Sequence, residues 1–128
     1  IQQRELQNNI KITGEINQDE IKSIFDNSFA YIQTSSYESQ GIAIFEAMAT
    51  GLPILTTNQL ALEGIFQDGQ NGFFIDYDPQ DIGQKICIIF NNELLFSKIS
   101  SNNIIKSQFF IWDNTIFQTL NVYLSYVK

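Results

Sequence analysis

The stretch that most constrains this chain is residues 29–57. An apolar run is followed by a polar loop reaching Gly41, a short apolar segment closed by Gly51, then Pro53 and a second apolar run. Glycine suits the backbone at helix boundaries, and a proline just beyond the last turn prevents continuation. The pattern predicts a strand over residues 29–33, a helix over 42–50 that stops at Gly51, and a strand over 53–57 with Ile54 and Leu55 buried. Two glutamates, Glu38 and Glu46, flank Gly41, one on the loop and one about a turn into the helix. A helix mouth offers unpaired N–H groups and the positive end of the dipole, which suit a phosphate. Carboxylates on either side accept hydrogen bonds from sugar and ribose hydroxyls. Together they suit a sugar attached to a phosphate.

The rest of the chain continues the alternation. Residues 10–14 alternate apolar and polar and stop at Gly14, which reads as a strand. Residues 18–27 place Ile21, Ile24 and Phe25 on one helical face, with Glu15, Asp19 and Glu20 as a solvated helix start. Residues 61–66 read as a short helix, 68–72 as a turn and 73–76 as a fourth strand. A helix opening at Pro79 or Asp81 carries Ile82, Ile86, Ile89 and Phe90 at core spacing, and another starts near Asn92. The last begins at Trp112 or Asp113 and aligns Ile116, Phe117, Leu120, Leu124 and Val127. The fold class is therefore α/β, a Rossmann-like parallel sheet with flanking helices. Ligands in such folds sit at the carboxyl ends of strands, where the Glu38 loop lies.

At 128 residues, 44% apolar and 16% charged, the chain is one compact domain rather than a disordered one. A net charge of −7 argues against a nucleic-acid surface and offers little to anionic lipid. The absence of histidine removes Ser-His-Asp and Cys-His nucleophile systems and every His-containing metal site. The single cysteine, Cys87, sits in an apolar run and reads as a buried small hydrophobe; with no intrachain disulfide available, a reducing compartment fits. No signal peptide or membrane-spanning run is visible. The first residue is Ile, so the chain is expected to be cut from something longer or to have lost its start.

Ser35, Glu38, Gly41, Glu46, Ala47, Ala49, Gly51 and Pro53, followed by Ile54 and Leu55, resemble the E-x7-E signature of the retaining GT-B glycosyltransferases, in particular the group 1 (family 4) class. Asp68-Gly69-Gln70-Asn71-Gly72-Phe73-Phe74 is similar to that family's D-G-x-N-G turn, and Phe110-Ile111-Trp112 to its closing aromatic-x-W segment, whose helix packs back toward a second domain. The resemblance implies that residues 1–128 are a partial C-terminal GT-B domain that binds the donor nucleotide sugar, with the N-terminal acceptor domain absent. It implies Glu38 as the catalytic candidate, bonding hydroxyls of the transferred sugar, and Glu46 as the ribose ligand. Backbone groups of Gly41, Ile42 and Ala43 would line the sugar and diphosphate, with Ile16 against the base and Ser35 in the donor loop. The implied reaction is retaining hexosyl transfer from a nucleotide diphosphate sugar without a metal or other cofactor, in the cytoplasm or at the inner face of the membrane through the missing domain. The acceptor would belong to cell-surface polysaccharide or glycolipid synthesis.

Three features depart from the family pattern. The family's diphosphate-binding Arg and Lys lie upstream of the region aligned with Ile10, and Arg4 is wrongly placed to be either. The acceptor domain is missing, so the isolated chain is expected to be inactive. Residues 57–63 replace a small-residue pair and a Pro-Glu, retaining only Glu63, which is equally readable as a solvated residue. Trp112 reads as a packing residue. A non-catalytic nucleotide-sugar-binding or subunit module, completed by a separate acceptor-domain partner, is the alternative.

Overall fold

A computed structural model describes Leu6 and residues 8–127. Arg4 lies outside the described residues. In chain order the elements are α1 (Gln18–Asp26), β1 (Tyr31–Gln33), α2 (Ile42–Ala49), β2 (Ile54–Thr56), a 3-10 turn (Leu60–Leu62), β3 (Gly72–Phe74), α3 (Pro79–Phe90), α4 (Glu93–Ser107), a second 3-10 turn (Gln108–Phe110) and α5 (Trp112–Tyr126). The three strands form a parallel sheet in the order β1-β2-β3, with Tyr31 opposite Ile54 and Ile54 opposite Gly72. This is the α/β parallel architecture that the pattern predicts.

The central strand β2 is buried on both faces, as parallel sheets covered by helices require. Ile54 joins Ile44, Ala47, Met48, Leu52, Leu62 and Phe66 on one side, while Leu55 joins Ile75, Ile89 and Ile99 on the other. Each such large apolar side chain contributes about 1.5–3 kcal/mol. Local chemistry sets the boundaries. Asn17, Asp78 and Asn92 accept hydrogen bonds from the first-turn N–H groups of α1, α3 and α4, and Pro79 sits at the start of α3. At the end of α2, Gly51 takes φ +78°, its N–H bonds the Met48 carbonyl, and the Leu52 N–H reaches back to Ala47. That is a Schellman closure.

Several expectations are corrected. Residues 10–14 form no strand: Ile10 and Ile12 are exposed, and no strand lies beside them among the described residues. Alternation alone does not make a strand without a partner to complete the ladder. Cys87 is exposed rather than buried, and Phe90 is 72% exposed, because α3 turns Ile82, Ile86 and Ile89 inward and positions 87 and 90 outward. Trp112 is not a packing residue. It is 79% exposed at the start of α5, a helix that packs against the Gln108–Phe110 turn rather than the sheet. The apolar stripe Ile116, Phe117, Leu120, Leu124 and Val127 is exposed along its length.

Candidate functional site

The site is assembled at the carboxyl end of β1. Tyr31 and Gln33 are two apart on a strand and so share one face. The Tyr31 hydroxyl donates to Gln33 Oε1 at 2.8 Å, and Gln33 Nε2 donates to Glu38 Oε2 at 2.9 Å. Gln33 is buried and Glu38 half-buried. Burial raises the Tyr31 phenol above its ordinary pKa, and the charges of Glu38 and then Glu46 push it the same way.

Gly41 turns the loop into α2 with φ +67° and ψ +39°, left-handed backbone that favours glycine. No side chain caps this helix start. The Ile44 N–H bonds the Gly41 carbonyl at 2.9 Å, whereas Ile42 and Ala43 present first-turn N–H groups. A Cβ built on Gly41 would stand 3.5 Å from Glu38 Cγ, so the glycine lies directly against the Glu38 stem. Four predicted residues, Glu38, Gly41, Ile42 and Ala43, therefore meet at one helix mouth.

Glu46, one turn further, lines a 770 Å³ cavity with Ser39, Gln40, Ile42, Phe45 and the exposed Trp112. It also borders a 340 Å³ cavity against α1, walled by Ile21, Lys22 and Phe25. Ile16 is half-buried and lines a different 460 Å³ cavity with Ile12, Thr13 and Ile24. It shares no lining residue with the Glu46 cavities. Ser35 is held through its backbone: its carbonyl accepts from Thr57 Oγ1 at 2.6 Å and from Gln59 Nε2 at 2.7 Å. Glu63 is exposed.

Tyr31, Gln33, Thr57 and Gln59 escaped the sequence reading. Gln33 ends β1 and Thr57 directly follows β2, both buried polar side chains, and that position was their signal. Among the described residues, no three His, Cys, Asp or Glu side chains gather as a metal site, and no helix is long and apolar enough to cross a membrane.

A carboxylate-flanked helix mouth thus stands at the carboxyl end of a strand in a parallel α/β sheet. Residues 1–107 match the family described as "Glycosyl transferases group 1", and the chain belongs to that family. It is 30% identical to a D-inositol 3-phosphate glycosyltransferase of Nocardioides over 87 residues, covering 67% of this chain and 19% of the relative. It is also 30% identical to the poly(glycerol-phosphate) alpha-glucosyltransferase of Bacillus subtilis over 102 residues, covering 78% and 15%. Among solved structures, Anabaena HepE in complex with UDP and glucose superposes with TM-score 0.84 at 26% identity, covering 97% of this chain and 34% of that one. The C-terminal domain of a group 1 glycosyl transferase (LpcC) from Francisella tularensis shares the fold, with TM-score 0.68 at 24% identity over 76% of this chain and 50% of that one. The fold is that of the GT-B glycosyltransferases. The chain spans no more than a third of the length of these curated relatives.

Proposed function

We propose that this chain is the donor-binding, C-terminal part of a retaining GT-B glycosyltransferase of family 4, transferring a hexose from a nucleotide diphosphate sugar. The observation that carries the reading is Glu38, held by Gln33 and lying against Gly41, beside the uncapped start of α2, with Glu46 one turn into that helix. Glu38 accepts hydroxyls of the transferred sugar, Glu46 accepts the ribose hydroxyls, and the Ile42 and Ala43 amides face the diphosphate. Ile16 meets the base, and Ser35 shapes the loop by the carbonyl that Thr57 and Gln59 hold. Charge on the leaving diphosphate is met by the helix dipole and basic groups, with no resident metal or cofactor; such preorganised stabilisation is usually the largest catalytic contribution. An acceptor-binding domain, in the same or a separate chain, completes the cleft in the cytoplasm, and the isolated chain transfers no sugar. The acceptor belongs to cell-surface polysaccharide or glycolipid synthesis.

Ligand-observed NMR against UDP-, GDP- and ADP-sugars tests this reading. One nucleotide class is expected to bind, unchanged by EDTA, and Glu46→Ala is expected to weaken it about 10- to 100-fold, as loss of a charged hydrogen-bond acceptor does. Equal affinity in the variant would remove Glu46 from the site. The exposed apolar stripe of α5 favours a second reading, a non-catalytic module completed by a partner chain. Under that reading, purification from the source cell would recover such a chain.

A further inference from the structure

We propose that Gln33, held by Tyr31, is the positioning residue for Glu38, so that these two side chains set the sugar affinity of the site; this rests on the donor reading above. The direction of the chain of hydrogen bonds is fixed by chemistry. A carboxylate only accepts, so the Gln33 amide must turn its NH2 toward Glu38 and its Oε1 toward Tyr31, which donates. An ordinary phenol is already protonated near neutral pH, and burial moves Tyr31 further in that direction. One Glu38 oxygen, Oε2, is thereby occupied, and Oε1 is left to accept from a ligand hydroxyl.

Three further contacts make this arrangement rigid. The Tyr31 ring packs edge-on against Phe25 with centroids 5.8 Å apart. The Glu38 stem lies against Gly41. The loop between Gln33 and Glu38 is anchored midway by the Ser35 carbonyl, which takes bonds from Thr57 and Gln59; Gln59 Nε2 also bonds Thr57 Oγ1 at 2.8 Å. A carboxylate fixed at one oxygen, at its stem and through its loop has little freedom to lose when a sugar binds, and such preorganisation raises affinity. Removing the Gln33 amide frees the carboxylate without removing it. The loss should fall on the sugar and spare the nucleotide, which Glu46 and the α2 amides hold.

The test compares dissociation constants of the chain for UDP, GDP and ADP with those for UDP-glucose, GDP-mannose and ADP-glucose. Gln33→Leu is expected to weaken the nucleotide sugar about tenfold while the matching diphosphate stays within about twofold. Tyr31→Phe keeps the ring and its Phe25 contact and needs no new packing. It should act in the same sense at about threefold, by freeing the Gln33 amide to turn. A dispersed amide spectrum establishes that each variant is folded, and Tyr31→Phe decides alone if Gln33→Leu is not. Equal weakening of diphosphate and nucleotide sugar, or no weakening of either, overturns the positioning role and leaves the donor reading standing. A parent chain that binds neither ligand overturns the donor reading and this inference with it.

Discussion

Gly72→Ala is expected to destabilise the fold by about 4 kcal/mol or more, a large share of the roughly 5–15 kcal/mol available to a domain. Gly72 opens β3 with φ +143°, backbone that side chains rarely adopt. A Cβ there would stand 1.8 Å from the Ile54 carbonyl oxygen and 2.6 Å from its carbon and nitrogen. Ile54 cannot retreat: it is fully buried on the central strand and paired to Tyr31 on its far side. The collision is with backbone, so no rotamer change relieves it, and β3 must leave the sheet or drag β2 with it. Gly69→Ala is the control. Gly69 has φ +72° in the same turn, but a Cβ there meets nothing within 4 Å. It should show only backbone strain of about 1 kcal/mol. Urea unfolding followed by circular dichroism separates the two; equal losses would mean that contact with Ile54 is not what demands glycine at 72.

The β1–α2–β2 unit was legible because its punctuation is chemical. Gly41 and Gly51 both take the positive φ that their positions suggested, and Pro53 stands one residue before β2. The site was legible to the extent that it is local: Glu38, Gly41, Ile42, Ala43 and Glu46 lie within ten residues of one another in sequence. What stayed hidden depends on neighbours distant along the chain. Thr57 and Gln59 reach Ser35 across more than twenty positions, and nothing in their own stretch names that partner. Residues 10–14 carry strand-like alternation, but a strand exists only where a second one completes its hydrogen bonds. Cys87 and Phe90 looked buried because the run around them is apolar; the facing of α3 was set instead by Ile82, Ile86 and Ile89.

The residues that carry the family likeness divide into two kinds. Glu38, Gly41 and Glu46 face the candidate site. Gly51, Asp68, Asn71 and Gly72 are explained by the fold alone. Asp68 Oδ1 accepts from the Phe74 N–H at 2.7 Å, and Asn71 Oδ1 accepts from the Gln67 N–H at 2.9 Å, so the D-G-x-N-G turn is held by its own side chains. A signature of this family is thus partly a site and partly the scaffold that aims it.

Asn103 on α4 joins the two motifs, and Asn103→Leu is expected to cost about 4 kcal/mol. The side chain is fully buried. Its Nδ2 donates to the Leu52 carbonyl at 2.7 Å and the Asn71 carbonyl at 2.9 Å, while its Oδ1 accepts from Asn71 Nδ2 at 2.8 Å. Leucine fills a similar volume, so the loss is not one of packing. It takes the donor from the Leu52 carbonyl and the acceptor from the Asn71 amide, two polar groups left in the interior at about 1–3 kcal/mol each. The Asn71 carbonyl keeps the Ile54 N–H, at 3.1 Å, and so adds little. For a domain of this size the loss should lower Tm by roughly 10–15 °C. Because the network lies at the amino ends of β2 and β3, and the Glu38 loop follows the carboxyl end of β1, nucleotide affinity measured well below the new Tm should stay near that of the parent. A Tm within about 2 °C of the parent would mean that water reaches the Leu52 carbonyl and the Asn71 amide in solution. The join between α4 and the two motifs would then be looser than the hydrogen bonds of Asn103 imply.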